Sequence, residues 1–278
     1  CSTGWVSGVL AATAEALADV EKLIKTLVVL AQLVHVDETS LNVGGGKQWL
    51  HVACTRTLTA YHLHSSRGRA AVEQFGVLPG FTGTAVHDAL SVYDGYPGAT
   101  HALCGAHIAR ELVAAAETHP DRDWPTAALD ALFGLNDAAY ASREQGLRRI
   151  PAQTLDPLDR WRHAILCGLS THPRRDGRKQ STTRNLLERL RDRDQQVLRF
   201  ARDPATVPFS NNQAERDLRP VKTQIKISGC HRSDTGARAW LRVRGYISTA
   251  RKNRINVLDA LRDAIIGTPR TPPHPAAT

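Results

Sequence analysis

Apolar residues recur at helical spacing through residues 5–30. Leu17, Val20, Ile24, Leu27 and Val28 share one face, which predicts a helix over that stretch. The period then falls to two. LVHVDETSLNV and KQWLHVACT alternate and are rich in β-branched residues, LTAYHLHSS follows, and Gly44–Gly45–Gly46 joins the first two as a hairpin. RGRAAVEQFGVLPG reads as a short helix closed by Gly80. TGTAVHDAL predicts a strand ending near Asp88, and THALCGA a short strand leading into a helix through HIARELVAAAE. Residues 34–118 therefore predict a hairpin meander followed by β–α–β alternation, which is the pattern of a mixed sheet with helices packed on it.

Residues 120–205 change character. TAALDALFGLNDAAY puts Leu129, Leu132, Phe133 and Tyr140 on one stripe. NLLERLRDRDQQVLRFARD does the same with Leu186, Leu187, Leu190, Val197, Leu198 and Ala201, and LDRWRHAILCGL between them is also helical. HPRRDGRKQ reads as a flexible basic loop and RDPATVPFSNN as a Pro-punctuated exit. After Asn212 the chain returns to helix, which Pro220 is expected to end or kink. TQIKISGCHRSDTGA reads as irregular, and long helical segments then run to about Ile266. TPRTPPHPAAT is a Pro-rich tail expected to be disordered.

Composition narrows the class. The 278 residues suffice for one large domain or two smaller ones with a sizeable core, and 42% are apolar. The formal net charge is +9, and the stretch from Asn211 to Arg254 holds eleven Lys/Arg against three Asp/Glu. Such a stretch suits a polyanion, of which nucleic acid is the commonest, or else forms a solvated surface. Five cysteines, Cys1, Cys54, Cys104, Cys167 and Cys230, form no C-x-x-C pair, which fits a reducing compartment. No uncharged apolar run approaches the roughly 20 residues that span a bilayer, and the first residues lack a signal peptide's basic region. No methionine occurs, so the chain is expected to be a fragment or trimmed product with a region upstream. GGGK lacks the spacing of a phosphate loop. No G-x-S-x-G, H-E-x-x-H or dinucleotide fingerprint supports acyl hydrolysis, zinc proteolysis or nicotinamide chemistry.

Three carboxylates stand at the ends or middles of elements. Asp37 shares a strand face with His35, opposite Val34 and Val36, in what reads as the edge region of a sheet. Asp88 ends a later strand beside His87. Glu215 opens a helix, where Asn212-x-x-Glu215 also resembles a capping box. Taken singly, each has a structural role available: strand-end polarity or a cap. Taken together, they can meet at one sheet edge. Their mutual repulsion there would be tolerable with divalent cations between them. Mg²⁺ takes hard oxygen ligands, and two ions about 4 Å apart serve in-line displacement at phosphorus.

The order Asp37, Asp88, Glu215 resembles a DDE-type transposase with a ribonuclease-H-like fold, and more narrowly the insertion-sequence 66 family. The stretches that carry the resemblance are VHVDET, HDALSVYDGY, CGAHIARE, NNQAERDLRPVK and SGCHRSDTGARAWLRVRGYISTARKNRINVLDAL, over roughly residues 1–266. The resemblance implies an α/β ribonuclease-H-like mixed sheet with flanking helices, interrupted by an all-helical insertion. The implied divisions are an N-terminal helical segment at 1–33, the first part of the catalytic core at 34–119, the insertion at 120–205, the last part of the core with C-terminal helices at 206–266, and the tail at 267–278. Asp37, Asp88 and Glu215 match the catalytic, metal-holding carboxylates. The implied activity is cleavage and strand transfer at transposon ends with Mg²⁺ or Mn²⁺, two ions, and water and then a DNA 3′-hydroxyl as nucleophile. The implied partners are DNA (transposon ends and target), further copies of the chain in a synaptic complex, and accessory proteins of the same element. No membrane is implied, and the implied location is cytoplasmic, on the nucleoid. A DNA-binding derivative that no longer cleaves and a structure-selective nuclease of the same fold are the competing readings. The family often shows C-W-x-H-x-R-R where this chain has Gly105 and Arg110–Glu111.

Arg216, Arg219 and Lys222 near Glu215, with Arg232 in the CHRS stretch, read as phosphate contacts, or as a solvated basic face. His107 and Arg110 lie at the start of a helix, where phosphate is welcome. Cys104 and His107 have C-x-x-H spacing, but no second pair supplies a zinc site. His35 reads as a polar strand residue or a partner to Asp37. Trp49, Trp161 and Trp240 read as core or stacking residues.

Overall fold

In the computed structural model, which describes residues 2–273, the period-two segments form strands at the expected places. These are β1 (Leu33–Val43), β2 (Gly46–Cys54) and β3 (Thr59–His64), followed by β4 (Thr84–His87) and β5 (Thr100–Leu103). The order across the sheet is β3-β2-β1-β4-β5, and the sheet is mixed, in agreement with the ribonuclease-H-like expectation. β1 is thus the central strand, so Asp37 stands mid-sheet and not in an edge region. β1 and β2 are antiparallel from His35↔Cys54 to Val43↔Gly46. The two-residue turn between them uses Gly44 (φ 58°) and Gly45 (φ 81°), a left-handed pair that glycine adopts at low cost.

The chain divides into two compact units. The first comprises residues 1–85, 90–100 and 212–278; the second comprises 86–89 and 101–211. In the first unit, α1 (Thr3–Ala16) and α2 (Ala18–Val29) replace the single expected helix. Ladder bonds continue through the break, from Leu17 N–H to Thr13 O and from Glu21 N–H to Leu17 O, so the apolar stripe survives it. The helix α3 (Arg69–Phe75) ends at Gly76 (φ 71°), four residues before the expected Gly80, because Gly76 adopts the left-handed cap. No helix lies between β4 and β5. A short 3₁₀ turn at Ser91–Gly95 makes that connection, and the β–α–β alternation is formed by β3, α3 and β4.

α10 (Asn212–Ser228), α11 (Asp234–Lys252) and α12 (Val257–Ile265) complete the first unit. Alternation along the strands splits its core in two. Val34, Val36, Ala53 and Ala60 face one apolar cluster with Val20, Ile24, Val28 and Tyr246. Leu41, Val43, Val52, Cys54 and Leu63 face another with Ala214, Leu218 and Val221 of α10 and Leu241 of α11. α11 contributes Leu241 to one cluster and Val243 and Tyr246 to the other, and it packs along β3. It thereby covers the terminal strand's edge, a site otherwise open to stray strand pairing.

Pro220 neither ends α10 nor stops it short. The helix runs on to Ser228, so Thr223–Ser228 is helical where an irregular stretch was expected. Proline removes one ladder bond, at about 3 kcal/mol in a helix interior. Leu218 and Val221 on either side of it are fully buried against the sheet, and that packing holds both turns. Asn212 is the first helical residue and not its cap, so the capping-box alignment with Glu215 shifts by one position. Of the tail, residues 268–273 are described. Arg270 N–H donates to Tyr246 Oη at 3.0 Å and its guanidinium to Asp263 at 2.6 Å, so this part is docked where disorder was expected. The rest of the tail, 274–278, lies outside the described residues, as does Cys1.

The second unit holds α4 (Gly105–Thr118), α5 (Trp124–Glu144), α6 (Asp156–Thr171), α7 (Thr182–Asp192), α8 (Asp194–Val197) and α9 (Arg199–Arg202). The buried stripe of α5 is Ala128, Ala131, Leu132, Leu135 and Ala139. Phe133 and Tyr140, expected on the stripe, are 42% and 60% exposed. Three alanines and two leucines face inward, where α4 and α6 both pack on α5. In the later segment Phe200, not Ala201, is the buried residue beside Val197 and Leu198. The basic loop joins α6 to α7. Arg184, buried in α7, donates to the carbonyls of Leu169 (3.0 Å) and His172 (2.8 Å), satisfying the open end of α6. Among the described residues no helix is long and apolar enough to cross a membrane, and the four described cysteines are free thiols.

Candidate active site

Asp37 lies half-buried in β1, paired in register with Val52. Residues directly opposite on neighbouring strands point to the same face, so Asp37 belongs to the face of Leu41, Val43 and Val52. That is the face on which α10 packs through Ala214, Leu218 and Val221. Glu215, half-buried, stands next to Ala214 in the first turn of α10. The first unit thus sets Asp37 and Glu215 on one side of its sheet. An Asp37 oxygen accepts the Glu38 N–H at 2.8 Å. Glu38 points the other way. Its side chain is 4% exposed, takes a hydrogen bond from Tyr93 Oη at 2.6 Å, and has Arg67 at 3.9 Å. The signal for this pair was present in VHVDET and SVYDGY, but no spacing rule links residues 55 positions apart.

A buried polar lock holds α10 in place. Lys252 Nζ donates to Asp217 Oδ2 (2.6 Å), Thr55 O (2.9 Å) and Leu58 O (2.8 Å), which uses all three of its protons. Thr59 Oγ1 donates to Asp217 Oδ2 at 2.8 Å, and Tyr61 Oη to the Asp217 carbonyl at 2.5 Å. Asp217 is two residues from Glu215, so this cluster sets the rotation of α10 about its axis. Burial raises the Cys54 thiol well above its ordinary range. Lys252 opposes that rise, and the carboxylates of Asp217 and Asp37 add to it, so both lie within electrostatic reach of Cys54.

The outward side of α10 carries Arg216, Arg219 and Lys222, all exposed, and Arg232 is exposed in the following loop. The Arg216 side chain folds back onto its own helix, on Asn212 O and Gln213, both at 3.4 Å. Not all of the basic stretch faces solvent. Lys252 is internal, and Arg242 binds Glu21 (2.6 Å) and Ala14 O (2.8 Å).

Asp88 lies in the second unit, directly after β4. It borders a cavity of about 390 Å³ together with His107 and Arg110 from the first turns of α4, and with Cys104, Glu111 and Arg189. Three of the expected site residues are therefore gathered there. Arg189 forms an ion pair with Glu111. Cys104 is buried and its Sγ accepts the Asn211 N–H at 3.2 Å, so it braces the approach to α10. Gly105 has no room for a side chain: a Cβ would come within 2.3–2.7 Å of the Phe209 ring. Phe209 fills the place next to Cys104, so an aromatic residue at 105 is incompatible with this packing. Among the described residues no three His, Cys, Asp or Glu side chains gather as a metal cluster.

Behind Asp88, His87 is fully buried. Its Nδ1 meets the Asp88 carbonyl, which can only accept, so Nδ1 carries the proton. Its Nε2 therefore accepts from His101 Nδ1 at 2.9 Å. Burial pushes His87 down to about 3, with His101 and Arg193 adding to the depression. An unfolded histidine titrates near 6.5. Between pH 6.5 and about 3 the unfolded chain binds the extra proton. The stabilisation is therefore complete above 6.5 and is lost as pH falls through that window. Thermal midpoints measured at pH 7, 5.5 and 4.5 are expected to fall, and less steeply in His87→Asn. An equally steep fall in the variant would acquit His87.

Comparison with known families gives one match: the description Transposase IS66 family fits residues 1–239. No curated protein and no solved structure matches the chain. With six-sevenths of its length covered and the mixed sheet in place, the chain belongs to the IS66 family of transposases.

Proposed function

We propose that the chain is the catalytic region of a transposase that cuts DNA at transposon ends and joins those ends to a target. Asp37, Asp88 and Glu215 supply the carboxylates. The observation that carries this reading is the placement of Asp37 on the central strand and Glu215 on α10 on one side of the first unit's sheet, in a chain of this family. The donor set is all hard oxygen, which fits Mg²⁺ or Mn²⁺. Such ions take one or two carboxylates each and fill their remaining positions with water and substrate phosphate, so DNA completes the ligand set. When bound, two ions would activate the attacking oxygen and stabilise the leaving one.

The chain's own residues do the rest. Arg216, Arg219 and Lys222 neutralise backbone phosphates near Glu215, Arg232 does so beyond the far end of α10, and together they fix the strand's register without reading its sequence. His107 and Arg110 serve the same role beside Asp88, at the N-terminus of the 14-residue α4. The Asp217–Lys252 lock orients Glu215, and the His87–His101 pair holds the backbone of Asp88. Cleavage breaks a P–O bond with water as nucleophile, and the released 3′-hydroxyl then attacks the target phosphodiester. Copies of the chain and accessory proteins of the element bring two ends together, and the protein works on the nucleoid.

The test uses oligonucleotides carrying the element's ends with Mg²⁺ or Mn²⁺. Nicking at the ends followed by joined products is expected. Binding without nicking, equal in wild type and Asp88→Ala, would mean a DNA-binding protein without chemistry. Cleavage of branched DNA without joining would mean a nuclease. A salt titration checks the phosphate contacts: affinity falls steeply with salt, and replacing Arg216 and Arg219 flattens the log–log slope by about 1–2. An unchanged slope would remove both from the interface.

A further inference from the structure

A cavity of about 460 Å³ opens in the first unit between α1, the end of α10 and the start of α11. Its size is that of small-ligand sites, about 300–1,000 Å³. Trp240 lines it, half-buried, with the His231 ring 5.4 Å away at 52°. Gln224 and His231 line it too. The Gln224 Oε1 and His231 Nε2 atoms are both buried and have no hydrogen-bond partner among the described residues. A buried polar atom without a partner is costly, so each of these gains when its side chain turns into the cavity and meets a ligand's polar edge. The wall is rigid. His231 forms a bridge to Val43, its N–H donates to Asn42 O at 3.2 Å, and its carbonyl accepts the Gly44 N–H at 2.8 Å. Arg232 and the Ser233 cap of α11 stand at the rim.

We propose that this cavity receives an unpaired nucleobase of the DNA on which the catalytic site works. A base has the flat π-face that Trp240 can stack. Its edge carries both donors and acceptors, which Gln224 and His231 can match, and it is tethered to a phosphate within reach of Arg232. Location favours a nucleotide over a free metabolite. Gln224 and Glu215 lie on one helix, nine residues or about 14 Å apart along its axis and half a turn apart around it, with Arg219 and Lys222 on the Glu215 flank. At 3.4 Å per nucleotide the axial distance alone spans about four bases of a strand that crosses the helix. An extrahelical base seated here fixes the distance from the unpaired position to the scissile phosphate. The proposal rests on the DNA reading above but not on catalysis.

The test measures binding in EDTA, where no turnover occurs, to a blunt duplex and to the same duplex with a four-nucleotide single-stranded overhang containing 2-aminopurine. Wild type is expected to bind the overhang about tenfold more tightly and to quench the 2-aminopurine, since base–aromatic stacking is worth about five- to 150-fold. Trp240→Ala is expected to lose the quenching and the preference while keeping its affinity for blunt duplex, and Trp240→Phe to restore much of both. Gln224→Leu, which leaves the aromatic wall intact, is expected to halve or better the preference while the quenching persists; it covers the case in which Trp240→Ala fails to fold. Equal affinity of wild type for both probes, or an overhang preference that survives both Trp240→Ala and Gln224→Leu, overturns the proposal. End cleavage with Mg²⁺ is scored separately. A chain that nicks ends but shows no overhang preference loses only this inference. A chain that prefers the overhang but never nicks loses only the catalytic reading.

Discussion

Asp37→Asn, Asp88→Ala and Glu215→Gln are each expected to lower end cleavage by about 10³-fold or more while leaving DNA affinity nearly unchanged. A metal that stabilises a charged transition state contributes several kcal/mol, and each 1.36 kcal/mol is tenfold in rate. On the proposed reading each variant removes an anionic oxygen ligand, and none removes a cation that would meet phosphate. The measurement is single-turnover nicking of end oligonucleotides in Mg²⁺, alongside equilibrium binding of the same DNA. Asp37 and Glu215 give the sharpest version, because both lie on the α10 side of one sheet. A Glu215→Gln enzyme that cuts within tenfold of wild type would remove Glu215 from the site and leave it as an N-terminal helix residue, the bland alternative its sequence context allows.

The second large effect is on stability. Lys252→Met is expected to cost about 3–5 kcal/mol, because it strands the Asp217 carboxylate among Thr59, Tyr61 and the sheet with no cation beside it. For a chain of this size that is a fall of roughly 10 °C in the thermal midpoint. Pairing it with Asp217→Asn is expected to recover much of the loss, because the buried charge is then gone and the amide oxygen still accepts from Thr59. Thermal melts of the two single variants and the double variant give the coupling. Additive losses would mean the pair does not interact as its 2.6 Å separation implies.

Much of the first unit was legible in the chain. β1 and β2 followed from alternation, because side chains of a strand with two covered faces must sort by parity. The two glycines of the hairpin marked their own turn. Legibility failed where the outcome depended on what a segment packs against. Pro220 is a local stop signal, yet α10 continues because Leu218 and Val221 are anchored in the sheet on both sides of it. The stripe on α5 is drawn through Ala128, Ala131, Leu132, Leu135 and Ala139 and not through Phe133 and Tyr140, because which face is covered depends on where α4 and α6 pack. Gly105 stands where the resemblance leads one to expect an aromatic residue, and Phe209, a hundred positions away, occupies that space.

The candidate site divides the same way. Asp37 and Glu215 were visible as acidic residues out of place, one amid apolar strand residues and one at the head of a basic helix. The local pattern also determined which face of β1 Asp37 takes, since that is a matter of parity. Everything that holds these groups still came from the tertiary structure alone: Lys252 against Asp217, His101 against His87, Tyr93 against Glu38. Periodicity and capping act over a few residues and can be read along a chain. Partners for buried charge are chosen by the folded topology, which joins residues tens of positions apart, and no local pattern encodes that choice.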